Sequence, residues 1–119
     1  MSISFLIVED NENMRRMIRS LLSEFAGDVH ECVEGAAALP AYAAHRPDWV
    51  LMDLKMKDVD GIAATNQITT AFPDAKVIIV TDYDDDDLRG ASRCAGAGWY
   101  VNKENLLNLP RILRDEMPY

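Results

Sequence analysis

Positive charge is scarce in this chain: 12 Lys and Arg stand against 20 Asp and Glu, a net charge of -8 over 119 residues. A surface that grips nucleic acid needs a basic footprint to neutralise phosphates, so this segment is not expected to bind nucleic acid directly. Cysteine is scarce too. Cys32 and Cys94 match neither a CxxC pair nor a metal-ligand spacing, and they read as two small, partly buried thiols in a reducing cytoplasm. No apolar run approaches the roughly 20 residues a membrane-spanning helix needs. The N-terminus opens directly into a strand pattern, without the basic and apolar regions of a signal peptide. A cytoplasmic location away from membranes is expected. Linkers, repeats and low-complexity tracts are missing as well, and the length suits one domain, residues 1–119. Most of the acidic excess is read as solvated surface.

What is present is a regular alternation of strand and helix patterns, which predicts an α/β fold with a parallel sheet. Five strands are expected: Ser2–Val8, Val29–Val33, Trp49–Met52, Val77–Val80 and Trp99–Val101. The second is short and weak, and suits a sheet edge. A first helix is predicted from about Asn11 to Phe25. Met14, Met17, Ile18, Leu21, Leu22 and Phe25 form its buried face, Asp10 or Asn11 its cap and Gly27 its stop. A second helix is predicted over Ala36–His45, where Pro40 would lose a hydrogen bond and crowd the preceding turn, so a late start or a bend is expected. A third follows over about Ile62–Phe72, and a fourth after Asp84–Asp87, with a thin apolar face of Leu88, Ala91 and Ala95. The last covers roughly Asn108–Met117, with Pro110 in its first turn. Right-handed crossovers with helices on both faces favour the flavodoxin-like (βα)5 order 2-1-3-4-5. That order sets Asp10 and Asp53 on neighbouring strands.

In an open parallel sheet, ligands bind outside the carboxyl ends of the strands. Here the first strand runs into Glu9-Asp10, the third into Asp53, the fourth into Thr81, and the fifth ends near Lys103. Clustered carboxylates resist ionising together unless a counter-charge is supplied. Mg2+ supplies one, since it prefers oxygen ligands and keeps several waters. Taken singly, these residues are ordinary: a helix cap, a turn aspartate, a strand-ending threonine and a surface lysine. Their conjunction makes a phosphoryl site. A carboxylate can act as the nucleophile and form an aspartyl phosphate, while metal and lysine neutralise the transferred oxygens. Asp84–Asp87 lacks the alternating spacing of a calcium loop and reads as helix-capping acid. His30, His45, Trp49 and Trp99 are assigned to packing or surface, not to chemistry.

Glu9-Asp10, Asp53, Asp60-Gly61, Thr81, Tyr100 and Lys103, in this order and spacing, resemble the receiver domain of two-component response regulators over essentially the whole chain. The resemblance implies that Asp53 accepts a phosphoryl group from a phosphohistidine of a sensor histidine kinase or a histidine phosphotransfer protein. It implies Mg2+ on Asp10, Asp53 and the backbone carbonyl of Lys55, with Glu9 acting through a metal-bound water. Thr81 and Lys103 would contact the phosphoryl oxygens, and Tyr100 would change rotamer as Thr81 moves. Output would emerge on the face of the fourth helix, fifth strand and fifth helix, as a phosphorylation-dependent homodimer. Lys103-Glu104, where many receivers have proline after the lysine, is similar to the NarL/FixJ-type group, whose receivers usually precede a DNA-binding domain controlling transcription. Three departures stand out. Lys57 replaces a usual proline and is expected to loosen the loop after Asp53; Asp82 is larger than the usual small residue; Lys55 and Tyr83 occupy positions that tune phosphate loss.

Other readings fit less of the chain. A phosphohydrolase of the haloacid-dehalogenase type would use Asp10, Thr81 and Lys103 but lacks a second acidic pair after the lysine and leaves Asp53 without a role. A receiver-like module that has lost phosphorylation would lack a site residue. A flavodoxin would carry a Ser/Thr/Gly-rich loop after the first strand. Phosphomonoester turnover would mark the enzyme; stoichiometric, self-limiting uptake marks the switch.

Overall fold

The computed structural model describes residues 3–56 and 58–116. Five parallel strands, β1 (Ile3–Val8), β2 (Ala26–Cys32), β3 (Trp49–Met52), β4 (Val77–Thr81) and β5 (Trp99–Asn102), form one sheet of order β2-β1-β3-β4-β5. Between and after them run α1 (Glu12–Leu22), α2 (Ala38–His45), α3 (Gly61–Ala71), α4 (Asp86–Cys94) and α5 (Asn108–Glu116). The expected architecture and strand order are both found.

Apart from Ser4 near the start of β1 and Thr81 at the end of β4, the central strands are apolar because the sheet is covered on both faces. Side chains alternate between two cores. Leu6, Val8, Val50, Met52, Val77 and Ile79 pack with Ala38, Tyr42, Ala64 and Ile68 of α2 and α3. Phe5, Ile7, Leu51, Ile78 and Val80 pack with Ile18 and Leu22 of α1 and Leu109 and Leu113 of α5. Trp49 and Trp99 meet in this second core as a tilted pair, centroids 5.0 Å apart.

Several local expectations need correction. α1 stops at Leu22, three residues short of Phe25, because the Ser23 amide folds back onto the Ser20 carbonyl. β2 then begins at Ala26, so Gly27 lies in a strand and stops no helix, and Val33 falls outside the strand, half exposed. Met17 points to solvent rather than into the core. On α4, Ser92 is the buried residue while Ala91 is exposed. Cys94 is exposed and only Cys32 is buried. Pro40 behaves as anticipated: a 3-10 turn at Gly35–Ala37 precedes α2, which leaves Pro40 in the first helical turn, where its missing N–H costs no bond. Ser2, Lys57 and Met117 lie outside the described residues. No helix among those described is long and apolar enough to cross a membrane.

Candidate functional site

Chain register brings the polar strand ends together. Val8 of β1 pairs with Met52 of β3, and the Asp53 amide donates to the Val8 carbonyl at 3.0 Å, so Glu9 and Asp53 leave the sheet side by side. Thr81 ends β4 fully buried, and Asn102 opposite it leads into Lys103. Asn11 caps α1 by accepting from the Met14 amide, and its own amide donates to Glu9 Oε2 at 3.1 Å. The result is a crevice of about 320 Å³, lined by Glu9, Asp10, Asp53, Asp82 and Lys103, with Lys55 and Tyr83 at its rim.

Carboxylate oxygens of Glu9, Asp10 and Asp53 lie within 4.8 Å of one another. Glu9 and Asp53 are buried while Asp10 is exposed. The Lys103 ammonium stands 2.8 Å from Glu9 Oε1, 3.5 Å from Asp53 Oδ1 and 4.0 Å from Asp82 Oδ2. Its approach to Glu9 is ionic rather than well aligned, for the buried Oε1 finds no hydrogen-bond partner by direction. Burial opposes the Lys103 charge, yet Glu9 and then Asp53 outweigh that penalty and hold its pKa above the ordinary lysine value. Burial pushes Asp53 up to about 6, the Glu9 charge adds to the rise, and Lys103 opposes it. One ammonium therefore does not satisfy three carboxylates. An under-partnered buried oxygen inside a converging oxygen set is what a hard divalent cation fits.

Two loops frame the crevice. After β3, the Gly61 amide donates to the Leu54 carbonyl at 2.8 Å, and Asp60 caps α3 through the Ala63 amide. Asp58 accepts from the Gly35 and Ala36 amides at 3.2 and 3.1 Å, tying this loop to the turn before α2. A Cβ at Gly61 would collide with the Asp53 carbonyl, so glycine is required by close approach. After β4, contacts come mostly from side chains. Lys55 Nζ donates to the Tyr83 hydroxyl at 2.9 Å, the Tyr83 amide reaches Thr81 Oγ1 at 3.4 Å, and the Tyr100 hydroxyl donates to the Tyr83 carbonyl at 2.6 Å.

The sequence pattern of the response regulator receiver domain matches residues 5–113. The chain belongs to this family. Receivers are phosphoacceptor switches of two-component systems rather than conventional enzymes, and they use Mg2+ at an acidic pocket. Among its relatives is the response regulator protein VraR of Staphylococcus aureus, 40% identical over 106 residues, which cover 87% of this chain and 50% of VraR. The chain thus spans about half the length of the curated relatives it matches. A two-component response regulator of the LuxR family from Aurantimonas sp. SI85-9A1 superposes with a TM-score of 0.88 at 25% identity, covering 97% of this chain and 84% of the other. CheY in the CheX-CheY-BeF3-Mg+2 complex from Borrelia burgdorferi shares the fold, with a TM-score of 0.86 at 21% identity over 98% of this chain and 90% of that one. The VraR and LuxR-family matches agree with the NarL/FixJ-type grouping read from Lys103-Glu104.

Of the residues singled out in the sequence, Glu9, Asp10, Asp53, Lys55, Asp82, Tyr83 and Lys103 line this crevice; Thr81 ends β4, and Tyr100 lies on β5 two residues before Asn102, the partner of Thr81. Two contributors were not picked out. Arg15 donates to the Glu9 carbonyl at 2.9 Å and pairs with Glu31, steadying the end of β1. Asp58 staples the loop after Asp53 on the far side of Lys57. Arg15 and Arg19 at i, i+4 were the available sign of a basic stripe facing Glu31. Nothing local to Asp58 announces a partner more than twenty residues earlier.

Proposed function

We propose that this receiver takes a phosphoryl group on Asp53 from a phosphohistidine of a sensor histidine kinase or a histidine phosphotransfer protein. The carrying observation is the convergence of Glu9, Asp10 and Asp53 on one point with Lys103 beside them. Asp53 Oδ attacks phosphorus, the N–P bond to the donor histidine breaks, and an acyl phosphate forms. Mg2+, held by Asp10, Asp53 and the Lys55 carbonyl with Glu9 reaching it through water, would neutralise charge on the transferred oxygens. Lys103 neutralises a further oxygen, and Thr81 donates its hydroxyl to another. Because the Tyr83 amide lies a long 3.4 Å from Thr81 Oγ1, that hydroxyl gives up little when it turns to the phosphate.

Tyr100 is the second moving part. It pairs with Ile79, two residues before Thr81, so both side chains lie on the same sheet face. A shift of Thr81 toward the phosphate vacates space beside Tyr100. Output then emerges on the α4-β5-α5 face, as a homodimer that forms on phosphorylation. In a longer protein this would control transcription through a DNA-binding domain, with no nucleic acid touched by residues 1–119 themselves and with action in the cytoplasm. Acetyl phosphate with Mg2+ should add one phosphoryl group, and Asp53→Asn should abolish the uptake. Labelling that survives Asp53→Asn, or full labelling in excess chelator, would overturn the assignment.

A further inference from the structure

Asp82 stands at the mouth of the crevice, outside the three carboxylates that converge there. It follows Thr81 directly, and its side chain is 73% exposed. Its Oδ2 lies 4.0 Å from the Lys103 ammonium, its one ion-pair partner among the described residues. Lys103 already meets Glu9 at 2.8 Å and Asp53 at 3.5 Å. So long and exposed a pair adds little stability. A charge at the mouth of a cleft acts farther out, on ions that approach it. Four carboxylates line the crevice, those of Glu9, Asp10, Asp53 and Asp82, against the ammonium groups of Lys55 and Lys103. With all four ionised, one Mg2+ brings that set to neutrality. Without Asp82 the metal-loaded crevice would be positive. The other three acids share the position a metal would take, so Asp82 is the one whose charge sets the sign without holding the ion.

We propose that Asp82 is a specificity-determining residue that selects by charge against small, doubly negative phosphoryl donors. The inference rests on the phosphoacceptor reading of Asp53. A free acyl phosphate has only its own charges to draw it into the crevice. A neutral crevice offers it no long-range attraction, whereas a positive one would. A phosphohistidine carried on a protein gains affinity from contacts outside the crevice, and that remote binding offsets the missing attraction. Asp82 therefore slows a free acyl phosphate more than a protein donor. The transfer itself is the same in each case. With acetyl phosphate, Asp53 Oδ attacks phosphorus, the P–O bond to the acetyl group breaks and acetate leaves. With phosphoramidate, the P–N bond breaks and ammonia leaves from its protonated nitrogen.

The test compares these two donors, one doubly and one singly negative, on the whole chain with saturating Mg2+ at neutral pH. Uptake is followed by intact mass, with melting temperature recorded for each variant. Asp82→Asn keeps the shape and removes the charge. It should raise the second-order rate constant about fivefold for acetyl phosphate and about twofold for phosphoramidate at low salt, as for one unit charge acting over about 8 Å of water. At about 1 M salt, where the screening length is about 3 Å, both gains should vanish. Asp82→Glu keeps the charge and should lie near the wild type. Mg2+ affinity, measured by calorimetry without donor, should fall in Asp82→Asn, because the charge that repels the donor attracts the cation. Wild-type rates in Asp82→Asn with faster ones in Asp82→Ala would show that bulk closes the site and would overturn the proposal. So would equal gains for both donors that survive high salt, or Mg2+ affinity that does not fall. If neither wild type nor Asp82→Asn takes up a phosphoryl group from either donor, the phosphoacceptor reading itself fails and takes this inference with it; uptake at the same rate in both defeats the inference alone.

Discussion

The loop after β3 and the loop after β4 flank the same crevice, and they are fastened by different means. The first is held through backbone amides: that of Gly61 donates to the Leu54 carbonyl, and those of Gly35 and Ala36, in the turn before α2, donate to the Asp58 carboxylate. The second is exposed from Asp82 to Asp87 and is held by the ends of side chains, those of Lys55, Tyr100 and Arg89. Backbone bonds across a closely packed turn have few alternatives. Bonds made by tyrosine hydroxyls and a lysine ammonium at a solvent rim can be exchanged for water or phosphate at little cost. On the proposed phosphoacceptor reading, the stiff side carries Asp53 and the Lys55 carbonyl, whose positions must not vary, and the soft side carries Thr81 and leads to Tyr100, which must move. The division suits a switch that reports a chemical event at one wall by moving the other.

The largest effect is expected where the stiff side is broken by sterics. Gly61→Ala drives a Cβ into the Asp53 carbonyl and the Leu54 backbone, with no flexible atom to give way. Urea unfolding should show a loss of about 2–4 kcal/mol. Gly98→Ala, beside the outer strand β5, meets no atom within 4 Å, and its stability should change by less than about 0.5 kcal/mol. Equal losses at the two glycines would show that the crowding at Gly61 is not what the added methyl group meets.

The next effect is electrostatic. The Asp53 pKa is raised to about 6, so the folded, metal-free protein holds this proton more tightly than the unfolded chain does. The associated stability is fully present at acid pH, below the ordinary value of 3.8, and is lost as pH rises through about 6. Asp53→Asn should therefore stabilise the chelator-treated protein at pH 7.5 by about 2 kcal/mol, a figure discounted for water at the crevice mouth, and by little at pH 4. Mg2+ competes with the same proton, so its apparent affinity should fall as pH drops below about 6. A pH-independent difference between Asp53→Asn and wild type would show that the Asp53 carboxyl takes up no proton on folding and that its pKa is not raised.

These two predictions mark what could be read in the residues and what could not. The meeting of Glu9, Asp10, Asp53, Thr81 and Lys103 was legible because apolar runs end abruptly in polar residues and a parallel sheet gathers those ends, once right-handed crossovers supply the strand order. The end of α1 was not legible. Leu21, Leu22 and Phe25 keep helical spacing, yet a strand starting at Ala26 ends the helix earlier. The exposure of Met17 was hidden for a related reason: methionine suits a core and a rim equally well, and Met17 stands on the crevice rim. The staple at Asp58 was invisible because its partners, Gly35 and Ala36, belong to another loop.

Asp58→Ala sharpens that point with a smaller effect. Hydrogen bonds from backbone amides, Val59 first among them, hold the Asp58 carboxyl below its usual range. The staple is thus intact at neutral pH and weakens only as pH falls through that lowered value. Removing it should free the Lys55 carbonyl and weaken Mg2+ binding several-fold by calorimetry, while the melting temperature shifts less than in Gly61→Ala. Unchanged Mg2+ affinity would mean that the Gly61–Leu54 bond alone secures this wall.

The smallest effect belongs to the soft side. Tyr83→Phe deletes the hydroxyl that receives Lys55 but keeps the backbone carbonyl that receives Tyr100. Both side chains of the lost bond are exposed, so unfolding stability should stay within about 0.5 kcal/mol. Local opening is the sensitive measure. Amides of residues 82–84 should already exchange with solvent faster than the Gly61 amide in the wild type, because they have fewer backbone partners. In Tyr83→Phe they should exchange faster still, while Gly61 and Ala63 stay protected. If the loss of one rim hydroxyl also speeds exchange at Gly61, the two loops open as a single unit, and the separation between a wall that holds the phosphoacceptor and a wall that moves is wrong.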